Sequence, residues 1–281
     1  MRSRPANVFR ASPSSFWRVR YPLAKALRSA HARTVLRDLP QELHFQLSGR
    51  VRSTAWTRLR ASRSPADIMQ FAGTQVHGGP SQRETEILPM LRMVAEREAR
   101  TIVELGTGEG GTTLLFSNAL PSVSLVVGVS LFVTNRVRLS EFHRETVSLH
   151  LIDGSCYAAE TISTVKSVLG GRPIDLLFID GDHTLAGALL DFRSYRGLVA
   201  PGGLIAFHDI VPDQRLRGGP PSEAWSGEAP VLWEILRHQY RHWEFVESWN
   251  QLGSGIGVLE HDPGVLPSIV PRRHGEAGVV S

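Results

Sequence analysis

Two short, largely apolar runs, Ile174–Ile179 and Leu204–Phe207, each stop at polar groups that can ionise or bind a metal. The first is bounded by Pro173 and Gly181, as suits a strand buried on both faces. Between the runs, Leu185, Ala188, Leu189, Phe192 and Tyr195 recur at helical spacing, which predicts a helix over Thr184–Arg196. Strand, helix and strand in succession form a right-handed βαβ unit with parallel strands. Both carboxyl ends then lie on one edge of the sheet, where open α/β sheets bind ligands. Asp180, Asp182, His183, His208 and Asp209 converge on that edge.

The pattern continues on either side. Ser81-Gln-Arg-Glu84 reads as a capping box with Ser81 as N-cap, and Ile87, Leu88, Leu91, Val94 and Ala95 give the following helix an apolar face that Pro89 kinks. Thr101–Leu105 is a strand, followed by a glycine-rich turn and a helix to about Leu120. Val126–Ser130 and the run ending at Leu151-Ile-Asp-Gly-Ser155 are the next strands, and a helix with Ile162, Val165, Val168 and Leu169 stops at Gly170-Gly171. Residues 211–229, rich in Pro and Gly with Arg215, Arg217 and Trp225, read as a long loop at the carboxyl edge, either a lid or acceptor-recognition segment or plain disordered chain. Pro230 opens a last helix, and Trp243–Trp249 and Ile256–Leu259 are the last strands. Ser64-Pro65 and Gly73–Pro80 read as loops. The fold class is a doubly wound α/β domain with a mainly parallel sheet over residues 66–260, preceded by a basic helical extension, 1–65, and followed by a mobile tail, 261–281.

Charge separates the extension from the domain. The chain has 281 residues and a net charge of +4, but residues 1–65 hold fourteen Lys and Arg against Asp38 and Glu42, a net of +12, so the remainder carries −8. The Arg- and Ser-rich start resembles an organelle transit peptide and lacks the apolar core of a secretory signal. A helix over Pro22–Arg37 with Leu23, Ala26, Leu27, Ala30 and Thr34 on one face suits an anionic membrane surface, or packing on the main domain or a partner subunit; packing is preferred. Arg50, Arg52, Arg58, Arg60 and Arg63 around Trp56 also suit phosphates, although no nucleic-acid module is recognisable. No apolar run reaches the about 18 residues of a membrane span. The single cysteine, Cys156, excludes an internal disulfide framework and a multi-cysteine zinc site, and reads as a packing residue. The expected location is the cytoplasm, and a homo-oligomer is open.

The chemistry resides in the converging edge. Asp180, His208 and Asp209 bring two carboxylates and an imidazole to one point, a set suited to Mg²⁺ or Mn²⁺, with the imidazole shifting the balance toward Mn²⁺, Fe²⁺ or Zn²⁺. His183, just past Asp180, is placed to act as a general base near neutral pH. In the turn, Gly106, Gly108 and Gly110 nearly match the dinucleotide fingerprint, but the third glycine follows the second by two residues instead of three. The acid at the strand end, Glu104, is the more informative residue.

Val103-Glu-Leu-Gly-Thr-Gly-Glu-Gly-Gly-Thr112 resembles motif I of class I S-adenosylmethionine-dependent methyltransferases. With Phe178-Ile-Asp-Gly-Asp-His183 and Pro201-Gly-Gly-Leu-Ile-Ala-Phe-His-Asp209, the chain is similar over about residues 75–260 to the small-molecule O-methyltransferase branch that includes macrolide sugar and cephalosporin-tailoring enzymes. The resemblance implies that Glu104, Gly106, Thr107, Gly108, Gly110 and Thr112 hold the methionine part of S-adenosylmethionine. It places Ser130 at the ribose, Asp153 and Ser155 near the adenine, and Asp180 beside both cofactor and metal. It puts a divalent ion on Asp180, His208 and Asp209, and makes His183 the base that deprotonates a hydroxylated small molecule, a sugar, glycoside or polyketide of natural-product biosynthesis. The sequence departs from the family at Ser130, where an acid is usual, at Asp153-Gly-Ser155, where the acid and serine are displaced, and at His208, which replaces an acid. A non-catalytic member of the fold and a nucleic-acid methyltransferase using the basic N-terminus are the alternatives.

Overall fold

The computed structural model describes residues 44–45, 47–75, 79–220 and 226–268, together with the backbone of Asn7–Arg10. The strands are β1 (Asn7–Arg10), β2 (Thr101–Leu105), β3 (Leu125–Ser130), β4 (Ser148–Asp153), β5 (Ile174–Ile179), β6 (Val199–His208), β7 (His242–Phe245) and β8 (Ile256–Glu260). They form one sheet in the order β1-β4-β3-β2-β5-β6-β8-β7. From β4 to β6 every neighbour pair is parallel, while β1 and β8 pair antiparallel at the two sides. The expected βαβ unit is β5, helix α7 (Leu185–Tyr195) and β6.

Successive strand residues serve opposite faces of the sheet, and both faces are covered. Ile102, Val126, Leu176, Phe178, Leu204 and Ala206 join one core with Ile87, Met90, Leu91, Leu114 and Phe116. Val103, Val127, Leu177, Ile179, Ile205 and Phe207 join the other with Val165, Phe192, Tyr195 and Trp233. The helices behind these residues are α3 (Glu84–Glu96), α4 (Gly111–Ala119), α5 (Arg136–Phe142), α6 (Ala159–Leu169) and α8 (Ala229–Arg237).

Three expectations are corrected. Helix α1 (Gly49–Ala61) lies in the extension expected to be helical, while α2 (Pro65–Gln75) runs through Pro65 and Gly73–Gln75, which read as loop. Pro65 opens α2, and the turn is closed reciprocally: Asp67 Oδ2 accepts the amides of Arg63 and Ser64 while Ser64 Oγ accepts that of Asp67. The capping box at Ser81 does not form. α3 begins at Glu84 with Arg83 as N-cap and no side-chain cap, because the Gln82 side chain turns inward and Ser81 Oγ accepts from it instead of from the helix. Part of the expected tail is held: Ser268 exchanges hydrogen bonds with the Gln239 side chain, and Val265 packs on the core. The helix expected over Pro22–Arg37 and the rest of the tail lie outside the described residues. Among the described residues, no helix is long and apolar enough to cross a membrane.

Candidate active site

Strand order and register assemble the site. The chain runs outward from β2 to β3 and β4, then crosses back to β5 on the other side of β2, so the switch point lies at the carboxyl ends of β2 and β5. Leu105 pairs with Ile179, and Ile179 with Phe207. The next residues, Gly106, Asp180 and His208, are therefore neighbours. A cleft of about 530 Å³ opens there, lined by the glycine turn on one side and Asp180, His183, His208 and Asp209 on the other.

The turn needs its glycines. Gly106 and Gly110 have φ of 100° and 86°, in the left-handed region that side chains avoid. A Cβ on Gly106 would stand 1.9 Å from the Asp180 carbonyl oxygen. The turn is held from outside by Thr134, whose amide donates to Gly108 O, and by Asn135, whose side chain donates to Glu109 O. At its base, Glu104 is buried; its Oε2 accepts the hydroxyls of Thr107 and Thr113. Burial pushes its carboxyl up to about 7, against those two hydrogen bonds and with the charge of Asp180 adding to the rise. A buried carboxyl beside exposed backbone in a cleft suits the ammonium and carboxylate of an amino-acid moiety, so the residues present fit the methionine part of S-adenosylmethionine.

Opposite the turn, four of the five converging side chains meet. His208 Nδ1 lies 3.2 Å from Asp180 Oδ1 and 3.4 Å from Asp209 Oδ2. His183 Nε2 lies 3.5 Å from Asp180 Oδ1, and its Nδ1 3.5 Å from Asp209 Oδ2. Burial works against charge on Asp180, but His208 and His183 outweigh it and hold the carboxyl at about 2. Burial likewise opposes a charged His208, yet Asp180 and Asp209 raise it well above the ordinary imidazole value; His183 is raised by the same carboxylates. Two carboxylates thus share positive charge from imidazoles, the environment a divalent cation would take over. Ligand atoms of Asp180, His183 and Asp209 lie within 4.8 Å of one another, and His208 Nε2 is buried without a hydrogen-bond partner. The donor set fits a divalent ion.

The remaining site expectations fall elsewhere. Asp182 is turned to the start of α7, accepting from Thr184 N and Oγ1 and from Tyr157 Oη. Asp153 is engaged by Arg136 Nη2 at 2.7 Å and by the Val133 amide at 2.9 Å. Ser130, Asp153 and Ser155 do not line the cleft. Cys156 is buried, and burial raises its thiol to about 12, which suits packing and not nucleophilic chemistry. Sequence reasoning missed Gln82, Thr113 and the Leu252–Ser254 segment, which closes the cleft from the β7–β8 connection. None of these carries a signal in the sequence beyond the glycines around Ser254.

Residues 103–210 match the family model described as a methyltransferase domain. An uncharacterised protein of Acanthamoeba polyphaga mimivirus is 30% identical over 197 residues, 68% of this chain and 81% of that one. Residues 103–210 of this chain thus form a methyltransferase domain of that family. Among solved structures, the mycinamycin-pathway methyltransferase MycE in complex with Mg, SAH and mycinamycin VI is 18% identical, with a TM-score of 0.44 over 65% of this chain and 52% of that one. This chain thus spans about half the length of that protein. TomG, an O-methyltransferase from Streptomyces achromogenes involved in tomaymycin synthesis, in complex with SAM, is 18% identical, with a TM-score of 0.47 over 72% of this chain and 91% of that one.

Proposed function

We propose that the protein transfers the methyl group of S-adenosylmethionine to a hydroxyl oxygen of a small molecule, of the sugar, glycoside or polyketide class, with a divalent ion, Mg²⁺ or Mn²⁺, held by Asp180, His208 and Asp209. The observation that carries this reading is the single cleft that joins the glycine turn to the carboxylate–imidazole cluster. When bound, the ion supplies a Lewis acid that favours the ionised form of an acceptor hydroxyl, and S-adenosylmethionine supplies the methyl.

The chain's own residues do the rest. The glycine turn offers its backbone to the cofactor, and Glu104 takes the ammonium. Asp180 and Asp209 orient the acceptor's edge of the cleft, and Leu252 and Ser254 restrict water. His183, its side chain 16% exposed against 5% for His208, is the more accessible imidazole and takes the hydroxyl proton on Nε2. Asp209 Oδ2, 3.5 Å from its Nδ1, stabilises the charge that results.

A second assignment has its own support, because Asp180, His183 and Asp209 each offer an atom able to bind a metal within 4.8 Å of one another. Calorimetric titration with Mn²⁺ separates the two. The first assignment expects His208→Ala to lose the ion, and His183→Ala to keep it while turnover falls by roughly 10²–10⁴-fold. The reverse pattern exchanges the two histidines. Failure of the unsubstituted chain to bind S-adenosylhomocysteine would leave a repurposed, non-catalytic member of the fold.

A further inference from the structure

Each candidate carboxylate presents one oxygen to the imidazoles and has the other tied. Asp180 Oδ1 faces His183 and His208, while Oδ2 accepts from Gln82 Nε2 at 2.8 Å. Asp209 Oδ2 faces the same two rings, while Oδ1 accepts the Ser254 amide at 2.7 Å. Asp209 itself has φ of 61°, a left-handed conformation uncommon outside glycine, though aspartate adopts it more readily than most.

Both ties lead back to the start of α3. Gln82 is buried, and its Oε1 accepts the hydroxyl of Thr112, which fixes the amide so that Nε2 faces the carboxylate. Glu86, four residues on, is fully buried and forms no ion pair among the described residues. Its Oε2 accepts the Gly255 amide at 2.8 Å and its Oε1 the Gln251 side chain at 2.6 Å. Gly253, Ser254 and Gly255 are all left-handed, with φ of 71°, 61° and 83°. That bend turns the Ser254 amide onto Asp209, and Glu86 is the buried group that anchors it. A buried carboxylate with no cation beside it is costly unless its hydrogen bonds are filled. Here they are filled from the segment that closes the cleft.

We propose that Gln82 and Glu86 are positioning residues for the metal site: the turn that opens α3 aims Asp180 Oδ1 and Asp209 Oδ2 at one point, Gln82 directly and Glu86 through the Gly253–Gly255 bend. The inference rests on the metal reading above. Tying one oxygen of each carboxylate removes the freedom to rotate that an ion would otherwise have to freeze, as outer-shell hydrogen bonds do for metal ligands elsewhere.

The test is calorimetric titration of the full chain with Mn²⁺, alongside Gln82→Leu and Glu86→Gln. Gln82→Leu removes the donor without changing charge. Glu86→Gln places an amide against donors on one of the two carboxylate oxygens, either the Gly255 amide or the Gln251 side chain and Glu247 amide, and breaks that side of the anchor. Weakening of Mn²⁺ binding by roughly 10–100-fold in both variants, with the metal-free melting temperature of Gln82→Leu unchanged, is expected. Affinity within about twofold of the unsubstituted chain in Gln82→Leu overturns the proposal while leaving the metal reading intact, since losses from this shell are ordinarily at least tenfold. If Glu86→Gln does not fold, Gln82→Leu decides alone, with Gln82→Met as its replacement should the branched side chain not be accommodated. An unsubstituted chain that binds no Mn²⁺ overturns the metal reading, and this proposal with it.

Discussion

Glu104 lies at the bottom of the cleft, and its carboxyl is raised to about 7 by burial. A carboxyl whose folded value exceeds its ordinary value of 4.5 opposes folding when ionised, so its stability contribution falls as pH rises from about 4.5 through about 7. A ligand ammonium reverses the preference, because it binds the ionised form. Binding of S-adenosylhomocysteine should therefore release a proton below pH 7, and its association constant should climb with pH toward about tenfold per unit before levelling off above 7. Calorimetry in buffers of different ionisation enthalpy measures both effects. Glu104→Gln should bind more weakly and show a flat profile. A wild-type profile already flat between pH 5 and 8 would mean that Glu104 does not meet the ammonium, and the glycine turn would need another occupant.

At the scale of elements, the strands and their carboxyl ends were legible because the chemistry that makes them is local. Ile174–Ile179 and Leu204–Phe207 are apolar because both sheet faces are covered, and the polar residue after each marks where burial ends. The closeness of Asp180, His208 and Asp209 follows from the parallel register. Gln82 was not legible: its position fits a capping box, and only the tertiary approach of α3 to the sheet edge sets its amide against Asp180. The bounds of helix α1 and the whole of α2 escaped for the opposite reason. Their buried residues are few, Ala55 in one and Ile68, Phe71, Ala72 and Gln75 in the other, so no long apolar stripe announces them. The glycine turn was legible as a turn between strand and helix at the sheet edge, but how tightly it is packed was not. Because a Cβ at Gly106 meets the backbone of Asp180 and not a movable side chain, Gly106→Ala should displace the turn and the Asp180 carboxylate together. The expected outcome is loss of both S-adenosylhomocysteine and Mn²⁺ binding by calorimetry, with a lowered melting temperature. Loss of the cofactor alone would show that the turn can shift without carrying Asp180 with it.

For the whole molecule, the division at residue 65 that charge suggests is not the division that packing makes. Phe45, Trp56 and Phe71 each meet the ring of Phe142 edge-on, at centroid distances of 5.5, 5.4 and 5.4 Å. Trp56 Nε1 also donates to Glu141, and the Arg138 guanidinium covers Phe45 at 4.7 Å. The basic face and the aromatic anchors thus belong to the same short segment: Arg50, Arg58, Arg60 and Arg63 point to solvent while the rings face α5. A chain beginning at residue 64 would strip two of the three rings from Phe142. Burying one large apolar side chain contributes about 1.5–3 kcal/mol, and an edge-on aromatic pair about 0.5–1.5 more, so the loss of two rings and two pairs should be roughly 4–9 kcal/mol. At about 2–4 °C per kcal/mol for a domain of this size, the melting temperature should drop by on the order of 10–30 °C. A chain beginning at residue 44 keeps the rings and, of the described elements, loses only β1, the edge strand on β4, so it should melt between the other two and bind S-adenosylhomocysteine as the full chain does. Differential scanning calorimetry of the three chains checks this directly. If the chain beginning at 64 melts with the one beginning at 44, the aromatic cluster contributes little, and the basic segment is an appendage to the methyltransferase domain after all.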